Sequence, residues 1–185
     1  MKQPERISGQ EEAVRLLNLA ANLLEQGQVE NALHYLEEAH SLDAESIPVR
    51  INLGGAYVMS GRHKKAIPIL EAARDAEPDN SMIWINLAAA YLGNPVLATR
   101  EQETRAIEAF DRALYLNPAA PNVHYNLGLI FLNRGDRDLA VQAFRQAVQV
   151  NPFDRDAYLW LHKLGALDEG THHGEGEGVE EDNDG

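Results

Sequence analysis

Residues 121–154 read PNVHYNLGLIFLNRGDRDLAVQAFRQAVQVNPFD, and the pattern of apolar residues in this stretch decides the fold. Two stripes with helical spacing lie on either side of Gly135: Leu127, Gly128 and Phe131, then Ala140, Phe144 and Ala147. Side chains three or four positions apart share one face of an α-helix. Gly135 interrupts the pattern where a turn needs a residue that tolerates a left-handed backbone. The stretch therefore predicts two helices joined by a short turn.

The same pattern recurs upstream with a regular period. An Asn-Leu pair occurs at Asn18-Leu19, Asn52-Leu53, Asn86-Leu87 and Asn126-Leu127, at intervals of 34, 34 and 40 residues. An alanine of the second stripe occurs at Ala32, Ala66, Ala106 and Ala140, at intervals of 34, 40 and 34 residues. One insertion of six residues between Leu87 and Ala106 explains both series. The chain is therefore predicted to be an all-α array of helix-turn-helix units with one enlarged loop.

Local signals predict where several helices begin and end. Ser8 followed by Glu11 is a capping box ahead of the first helix, and Gly27 ends that helix. Pro121 suits the first turn of its helix, where the missing N–H would have no partner in any case. Pro68 falls inside the second helix of its unit, where it predicts a kink or a late helix start.

The insertion lies within residues 93–105, GNPVLATREQETR. Asn94-Pro95 predicts a turn, and Thr99 with Gln102 or Glu103 predicts the start of an elongated second helix. Loops carry function more often than packed faces do. Two interpretations of this loop stay open, a contact with a partner and an inert connection.

Residues that recur at fixed places in each unit form a signature. In the third unit they are Trp84, Leu87, Ala88, Tyr91, Ala106, Phe110, Ala113 and Pro118. This order resembles that of the tetratricopeptide repeat family: a large residue, Leu-Gly, Tyr, Ala, Phe, Ala and a closing Pro. The resemblance implies a right-handed superhelical array of helix-turn-helix repeats, an α-solenoid, whose first helices line a concave ligand-binding surface. Arg50 and His124 replace the large apolar residue and Ala44 replaces the first closing Pro, departures that do not threaten the fold.

The expected domain organisation follows the repeats. Units are placed at residues 13–46, 47–80, 81–120 and 121–154, after an N-terminal arm and helix start at residues 1–12. Residues 155–169 begin like a fifth first helix that has no partner, and they are predicted to cap the array and complete a repeat domain at 13–169. Residues 170–185 hold one Val as their only large apolar residue, so they are predicted to be a disordered acidic tail.

Composition excludes several classes of function. Asp and Glu outnumber Lys and Arg by 29 to 16, giving a net charge of −13, which argues against nucleic acid because phosphates are bound by clustered cations. The chain has no Cys, which excludes disulfides, thiolate metal sites and a Cys nucleophile. The start is polar, and no apolar run is long enough to span a bilayer. A cytoplasmic protein with no membrane insertion is expected.

The sequence offers no candidate for catalysis. It lacks dinucleotide-binding, phosphate-loop, zinc-protease and serine-hydrolase motifs, and its paired acids are interpreted as solvated. The body histidines are interpreted as structural or solvated residues, and His172-His173 beside Glu175 and Glu177 gives at most a loose metal site in the tail. We therefore expect no enzyme, no metal site and no cofactor.

The first helices are apolar on a second face, which the resemblance places toward the concave surface. The second, fifth, ninth and twelfth residues of the units are Val14, Leu17, Ala21 and Leu24; Pro48, Ile51, Gly55 and Val58; Met82, Ile85, Ala89 and Leu92; Asn122, Tyr125, Leu129 and Leu132. A solvated surface does not ordinarily keep so large an apolar patch. We therefore predict an apolar binding groove, with Leu17, Ile51, Ile85, Tyr125 and Met82 as contact residues. The alternative is that tight superhelical packing buries part of this face, chiefly the ninth and twelfth residues.

The sixth residue of every unit is asparagine: Asn18, Asn52, Asn86 and Asn126. A side-chain amide can pair with both the N–H and the C=O of a bound peptide. The row resembles the asparagine ladder in the repeat domain of O-linked N-acetylglucosamine transferases, although this chain has no room for a glycosyltransferase domain. The alternative is that each Asn bonds to neighbouring backbone. Trp160 occupies the same place in the cap, either as an aromatic anchor or as a buried cap residue.

Two functions of different class remain open at this stage. The first is a non-catalytic adaptor or scaffold that holds a peptide or helix of a partner protein in the groove. The second is a structural subunit that uses the groove or the cap to form a homo-oligomer or a larger complex. Capture of a chaperone C-terminal carboxylate is not expected, because Leu17, Ala21 and Met82 replace the Lys and Asn residues that such clamps use.

Overall fold

The computed structural model describes residues 8–167, and within that range the chain forms helices and no strands. The helices are α1 Gly9–Glu25, α2 Val29–Leu42, α3 Ile47–Met59, α4 His63–Ala76, α5 Ser81–Leu92, α6 Arg100–Leu116, α7 Val123–Arg134, α8 Arg137–Val150 and α9 Arg155–Lys163. Short loops join consecutive helices, so each helix packs against its neighbour in sequence. The arrangement is the expected all-α repeat solenoid, and α9 packs on α8 at its end.

The repeated small residues let the two helices of each unit approach closely. Ala32, Ala66, Ala106 and Ala140 are fully buried, as are the larger residues four positions later, Leu36, Leu70, Phe110 and Phe144. Gly54 and Gly128 mark two further close approaches. A Cβ on Gly54 would lie 2.4 Å from Leu70 Cγ, and one on Gly128 would lie 2.6 Å from Phe144 Cε1. The spacing of the helices within these units therefore depends on a missing side chain.

Side-chain caps begin two helices where the sequence predicted them. Ser8 accepts a hydrogen bond from the Glu11 N–H and Glu11 returns one to Ser8, which confirms the first capping box. Thr99 and Gln102 form a second one. Helix α6 is consequently elongated, with 17 residues against 14 in α2, α4 and α8. The insertion is therefore divided between a longer loop and an extra turn of helix.

The late helix start, one of the two outcomes predicted for Pro68, and the helix start predicted at Pro121 are not observed. Helix α4 begins at His63, before Pro68, so the late start was wrong. Pro68 is exposed, and its helix continues on both sides. The prediction for Pro121 was also wrong, because α7 begins two residues later at Val123. Ala120 and Val123 are buried, and Asn122 between them adopts a left-handed backbone with φ 60°, so tertiary packing sets this helix start.

The apolar core continues across the junction of the third and fourth units, but the backbone contact is less extensive there. One apolar cluster runs from Ala20 in α1 to Ala143 in α8, while a separate cluster joins α8 to α9 through Phe144 and Leu161. The backbones of α6 and α7 approach each other over a shorter length than those of α2 and α3 or of α4 and α5. Backbone contact between units is therefore least extensive where unit three meets unit four.

Within the described part of the chain, none of the helices combines the length and the apolar character that a membrane crossing requires. The predicted acidic tail and most of the predicted N-terminal arm lie outside the described residues.

Candidate functional site

The second apolar face of α1, α3, α5 and α7 is partly accessible. Of its sixteen positions only Leu92 is fully buried, at 3% exposure. Val14, Pro48, Met82 and Asn122 are exposed, and the other positions, including Leu17, Ile51, Ile85 and Tyr125, are half-buried. Packing between neighbouring units therefore leaves fifteen of the sixteen positions at least partly in contact with solvent.

The four asparagines of the row differ in their hydrogen bonds. Asn52 Nδ2 donates to the Pro48 carbonyl at 2.9 Å, and Asn126 Nδ2 donates to the Asn122 carbonyl at 2.8 Å. These two bonds match the backbone-bonded alternative, but each amide keeps its Oδ1 and a second N–H for another partner. The side chains of Asn18 and Asn86 make no hydrogen bond within residues 8–167.

Gly55 of the apolar face and Asn86 of the asparagine row lie close together on neighbouring first helices. A Cβ built on Gly55 of α3 would lie 3.5 Å from Nδ2 of Asn86 on α5. The amide of Asn86 therefore borders the surface that Gly55 leaves open.

Trp160 belongs to the packing of the cap. Its ring stacks on Phe144 with a centroid distance of 6.0 Å and an interplanar angle of 9°, and Tyr125 approaches Phe144 at 5.7 Å. The Lys163 ammonium lies 4.7 Å from the centre of the Trp160 ring. Trp160 is half-buried by these contacts, so its ring is a packed side chain between α8 and α9.

The fourth residue of a unit has a structural role that its identity alone does not reveal. Trp84 Nε1 donates to the Pro78 carbonyl at 2.7 Å. His124 fills this place in unit four, where burial lowers its pKa and the backbone of Pro118 opposes the shift. Arg50 fills the place in unit two and pairs with Glu45 at 2.8 Å. Arg50 and His124, which depart from the repeat signature, therefore still make a polar interaction with the preceding turn or loop.

Three glutamate carboxylates link adjacent units: Glu37 is exposed, Glu71 is half-buried and Glu103 is buried. Tyr57 donates to Glu37 at 2.8 Å and Tyr91 donates to Glu71 at 2.7 Å. Both tyrosines and both glutamates are 34 positions apart, so the repeat period is the signal that would have found these pairs. Burial, and then the Glu37 carboxylate, raise the pKa of Tyr57 to about 12, which keeps its hydroxyl protonated as the donor.

Glu103 is the third of these carboxylates, and it is only 1% exposed. Asn133 Nδ2 donates to it at 2.7 Å and Arg134 Nε at 3.0 Å, both from the end of α7. Burial alone would raise the pKa of Glu103, but these hydrogen bonds and the Arg134 charge lower it. Glu103 lies in the lengthened α6, outside any repeating position of Glu, so this link could not be found from the repeat period.

The described residues contain no group of three or more His, Asp or Glu side chains that could hold a metal ion. His172 and His173 lie outside the described part of the chain.

Comparison with known families agrees with the geometry. Models of the tetratricopeptide repeat match residues 23–91 and 121–154, and a model named TPR repeat matches residues 99–135. The chain belongs to the tetratricopeptide repeat (TPR) family. TPR units form a protein-interaction scaffold, and the family is generally non-catalytic. No curated protein matches the sequence significantly.

Several solved TPR structures share the fold at low sequence identity. The thermophilic TPR protein TTC0263 of Thermus thermophilus is 22% identical with a TM-score of 0.72, and the match covers 83% of this chain and 84% of that one. MamA from Desulfovibrio magneticus is 19% identical with a TM-score of 0.65, covering 84% and 87%. YrrB, described as a TPR protein with an unusual peptide-binding site, is 23% identical with a TM-score of 0.58, covering 84% and 79%. These similarities establish the fold alone.

Proposed function

We propose that this TPR protein is a non-catalytic adaptor that holds a peptide or helix of a partner protein against the apolar face of its first helices. The observation that carries the proposal is the partly accessible apolar face on α1, α3, α5 and α7, of which only Leu92 is fully buried; it is called the apolar row below. The proposed partner is a protein, and neither nucleic acid, membrane insertion nor a cofactor enters the proposal. The proposed location is the cytoplasm.

Affinity would come mainly from burial of the apolar row. The half-buried contact residues are Leu17, Ile51, Ile85 and Tyr125. Met82 is more accessible than these four, with 46% of its surface exposed. Removing such surface from water contributes roughly 25 cal/mol per Å². Methionine also adapts its shape to varied partners because its side chain is unbranched and flexible.

The asparagine row would set the direction and position of the bound chain. Each amide oxygen can accept from a peptide N–H, and the amide N–H groups that are not used within the protein can donate to a peptide C=O. Backbone pairing of this kind does not depend on the partner's side chains. The peptide-binding site reported for the TPR protein YrrB supports peptide binding by this architecture.

The test compares two substitutions of equal exposure on opposite sides of the array. Met82→Glu puts a charge into the row, whereas Leu139→Glu puts one on α8, and both wild-type side chains are 46% exposed. We expect Met82→Glu to abolish capture of the partner from a host lysate and Leu139→Glu to preserve it. Equal capture of the partner by both variants would show that the apolar row is not the binding surface. Circular dichroism checks that both variants stay helical.

A second variant separates the asparagines from the apolar contacts. Replacing Asn18, Asn52, Asn86 and Asn126 by Ala is expected to weaken capture and to leave helicity intact. Unchanged capture would leave the apolar row as the whole site and reject the ladder. Light scattering on the wild type decides the alternative of self-assembly, since a mass above 20.5 kDa without a partner would indicate a homo-oligomer.

A further inference from the structure

One turn of this acidic protein concentrates positive charge. Residues 62–65 read RHKK, and Arg62, Lys64 and Lys65 are exposed. Arg62 pairs with Glu30 at 2.8 Å, and the Lys65 ammonium lies 5.4 Å from the centre of the Tyr57 ring. Lys64 has no carboxylate partner within residues 8–167. The α3–α4 turn is therefore a basic patch in a chain with an excess of acids.

The insertion converts this patch into a cavity. The start of the α5–α6 loop lies against the turn, because a Cβ on Gly93 would come within 3.6 Å of His63 Cδ2. Residues 61–65, Gly93, Asn94 and Gln102 line an open surface cavity of about 520 Å³. The same loop holds Val96 and Leu97 at 79% and 76% exposure. The surface thus combines cations with two uncovered apolar side chains.

The cavity lies on the same edge of the array as the end of the described chain. Consecutive helices run in opposite directions, so the α3–α4, α5–α6 and α7–α8 connections and the C-terminus of α9 share one edge. Contacts follow this edge: Gly93 lies against His63, Glu103 accepts from Arg134, and Arg137 donates to the Leu164 carbonyl. The chain therefore leaves residue 167 along the edge that holds the cavity.

The segment that follows has the complementary chemistry. Residues 168–185 contain eight acids, no Lys or Arg, and Val179 as their only large apolar residue. We propose that this acidic segment docks, within the same molecule, on the basic cavity formed by residues 61–65 and the α5–α6 loop. Its carboxylates pair with Lys64, Lys65 and Arg62, and Val179 contacts the apolar loop tip.

The segment is long enough to reach the cavity. From α9 back to α4 there are five interhelix steps of about 8–10 Å, or at most about 50 Å. The 18 residues of the segment span up to about 60 Å when extended. Six of its acids lie at residues 175–184, the part that reaches farthest. The nearer start of α8 is less favourable, because Asp136 and Asp138 flank Arg137 there.

A paramagnetic label tests the docking in the full-length chain. Because the wild type has no Cys, Asn183→Cys gives a single attachment site. At about 0.01 M salt, where charges act over about 30 Å, we expect loss of amide NMR signal at residues 62–65, 93, 94, 96 and 97. At about 1 M salt, where the range falls to about 3 Å, we expect the signals to return.

Two charge reversals identify the surface. Lys64→Glu is expected to restore the signals at low salt, whereas Arg155→Glu, an exposed cation on the opposite edge, is expected to leave the loss unchanged. Absence of signal loss at residues 62–65 in the labelled wild type overturns the proposal, as does an equal effect of the two variants. A mixture of labelled chains with unlabelled, ¹⁵N-enriched chains completes the test. Signal loss in the unlabelled chains would show docking between molecules and overturn the intramolecular form.

Discussion

At the scale of single residues, the close packing within a unit is set by Gly54. A Cβ there would meet Leu70 at 2.4 Å from Cγ and 2.5 Å from Cδ2, so the two helices would have to separate. We expect Gly54→Ala to lower the free energy of unfolding by about 1–3 kcal/mol through overpacking. Gly55→Ala is the matched control, because its Cβ would make only an ordinary contact with Asn86. It should be neutral or stabilising by up to about 1 kcal/mol. Urea denaturation of both variants measures the difference, and equal stability would contradict the packing interpretation.

His124 gives the stability a pH dependence that can be isolated. Burial lowers the pKa of His124 in the folded chain, so below about pH 6.5 the unfolded chain binds more protons than the folded one. The stabilisation from neutral His124 is therefore present above that pH and is lost as the pH falls. We expect His124→Trp, which copies Trp84 of unit three, to reduce the drop in urea midpoint between about pH 7.5 and about pH 5.5. An identical drop in both proteins would show that other groups cause it.

Residue identity at these sites was only partly predictable. The Leu-Gly pair and the Ala positions follow the repeat, so the close approaches could be located from the sequence. The interaction of His124 with the backbone of Pro118 could not, because a histidine in place of tryptophan does not show which of its nitrogens meets a carbonyl. The same limit applies to the asparagine row. Its spacing placed the four amides, but the bonds that Asn52 and Asn126 make to their own helices depend on side-chain rotamers.

At the scale of one helix, α4 carries a destabilising residue in its interior. Pro68 removes the hydrogen bond to the Lys64 carbonyl, and an interior proline costs about 3 kcal/mol relative to alanine. Lower entropy of the unfolded chain offsets about 0.4–1 kcal/mol of this cost. We expect Pro68→Ala to stabilise the protein by about 1–3 kcal/mol. Pro48→Ala is the control, because Pro48 lies in the first turn of α3. It should change little. A thermal midpoint that rises equally in both variants would contradict this account.

Helix boundaries show where local reasoning succeeds and where it fails. The starts at Ser8 and Thr99 were predictable because each cap is formed within four residues of sequence. The start of α7 was not, since it depends on burying Ala120 and Val123 against other helices. A proline permits a helix start but does not select one when packing favours a later residue. Local chemistry therefore fixes a boundary only when it meets no competing tertiary contact.

At the scale of the whole molecule, the repeat period determines the architecture and the insertion modifies it. A solenoid is stabilised by contacts between nearest neighbours, so a change at one junction affects everything beyond it. The insertion gives α6 an extra turn. Between units three and four, the backbones of α6 and α7 lie close together over a shorter length than the facing helices at the other two junctions between units. Glu103 compensates by binding Asn133 and Arg134 across that junction. The repeat period predicted the array. It could not predict the contact of Glu103 with Asn133 and Arg134, because Glu103 lies where the insertion breaks the period.

The limited backbone contact between units three and four should affect how the helices open locally. We expect hydrogen exchange in α7, α8 and α9 to proceed through a lower free energy of opening than exchange in α3 and α4, because few backbone contacts hold the fourth unit to the third. Glu103→Gln removes the charge from the buried bonds to Asn133 and Arg134, at a cost of about 1–3 kcal/mol. Protection of α7–α9 should fall by that amount while protection of α3 and α4 stays the same.

Glu101→Gln is the control, since Glu101 is exposed on the same helix and makes no hydrogen bond through its side chain within residues 8–167.

Acidification should reproduce the effect of Glu103→Gln. Because hydrogen bonds lower the pKa of Glu103, its contribution is complete above the unfolded value near pH 4.3 and is lost as the pH falls through the folded value. If Glu103→Gln lowers protection equally in all the helices, the array opens as one unit and the weak junction does not exist. If protection falls only beyond α6, the insertion has made the fourth unit and the cap a separately opening part of the molecule.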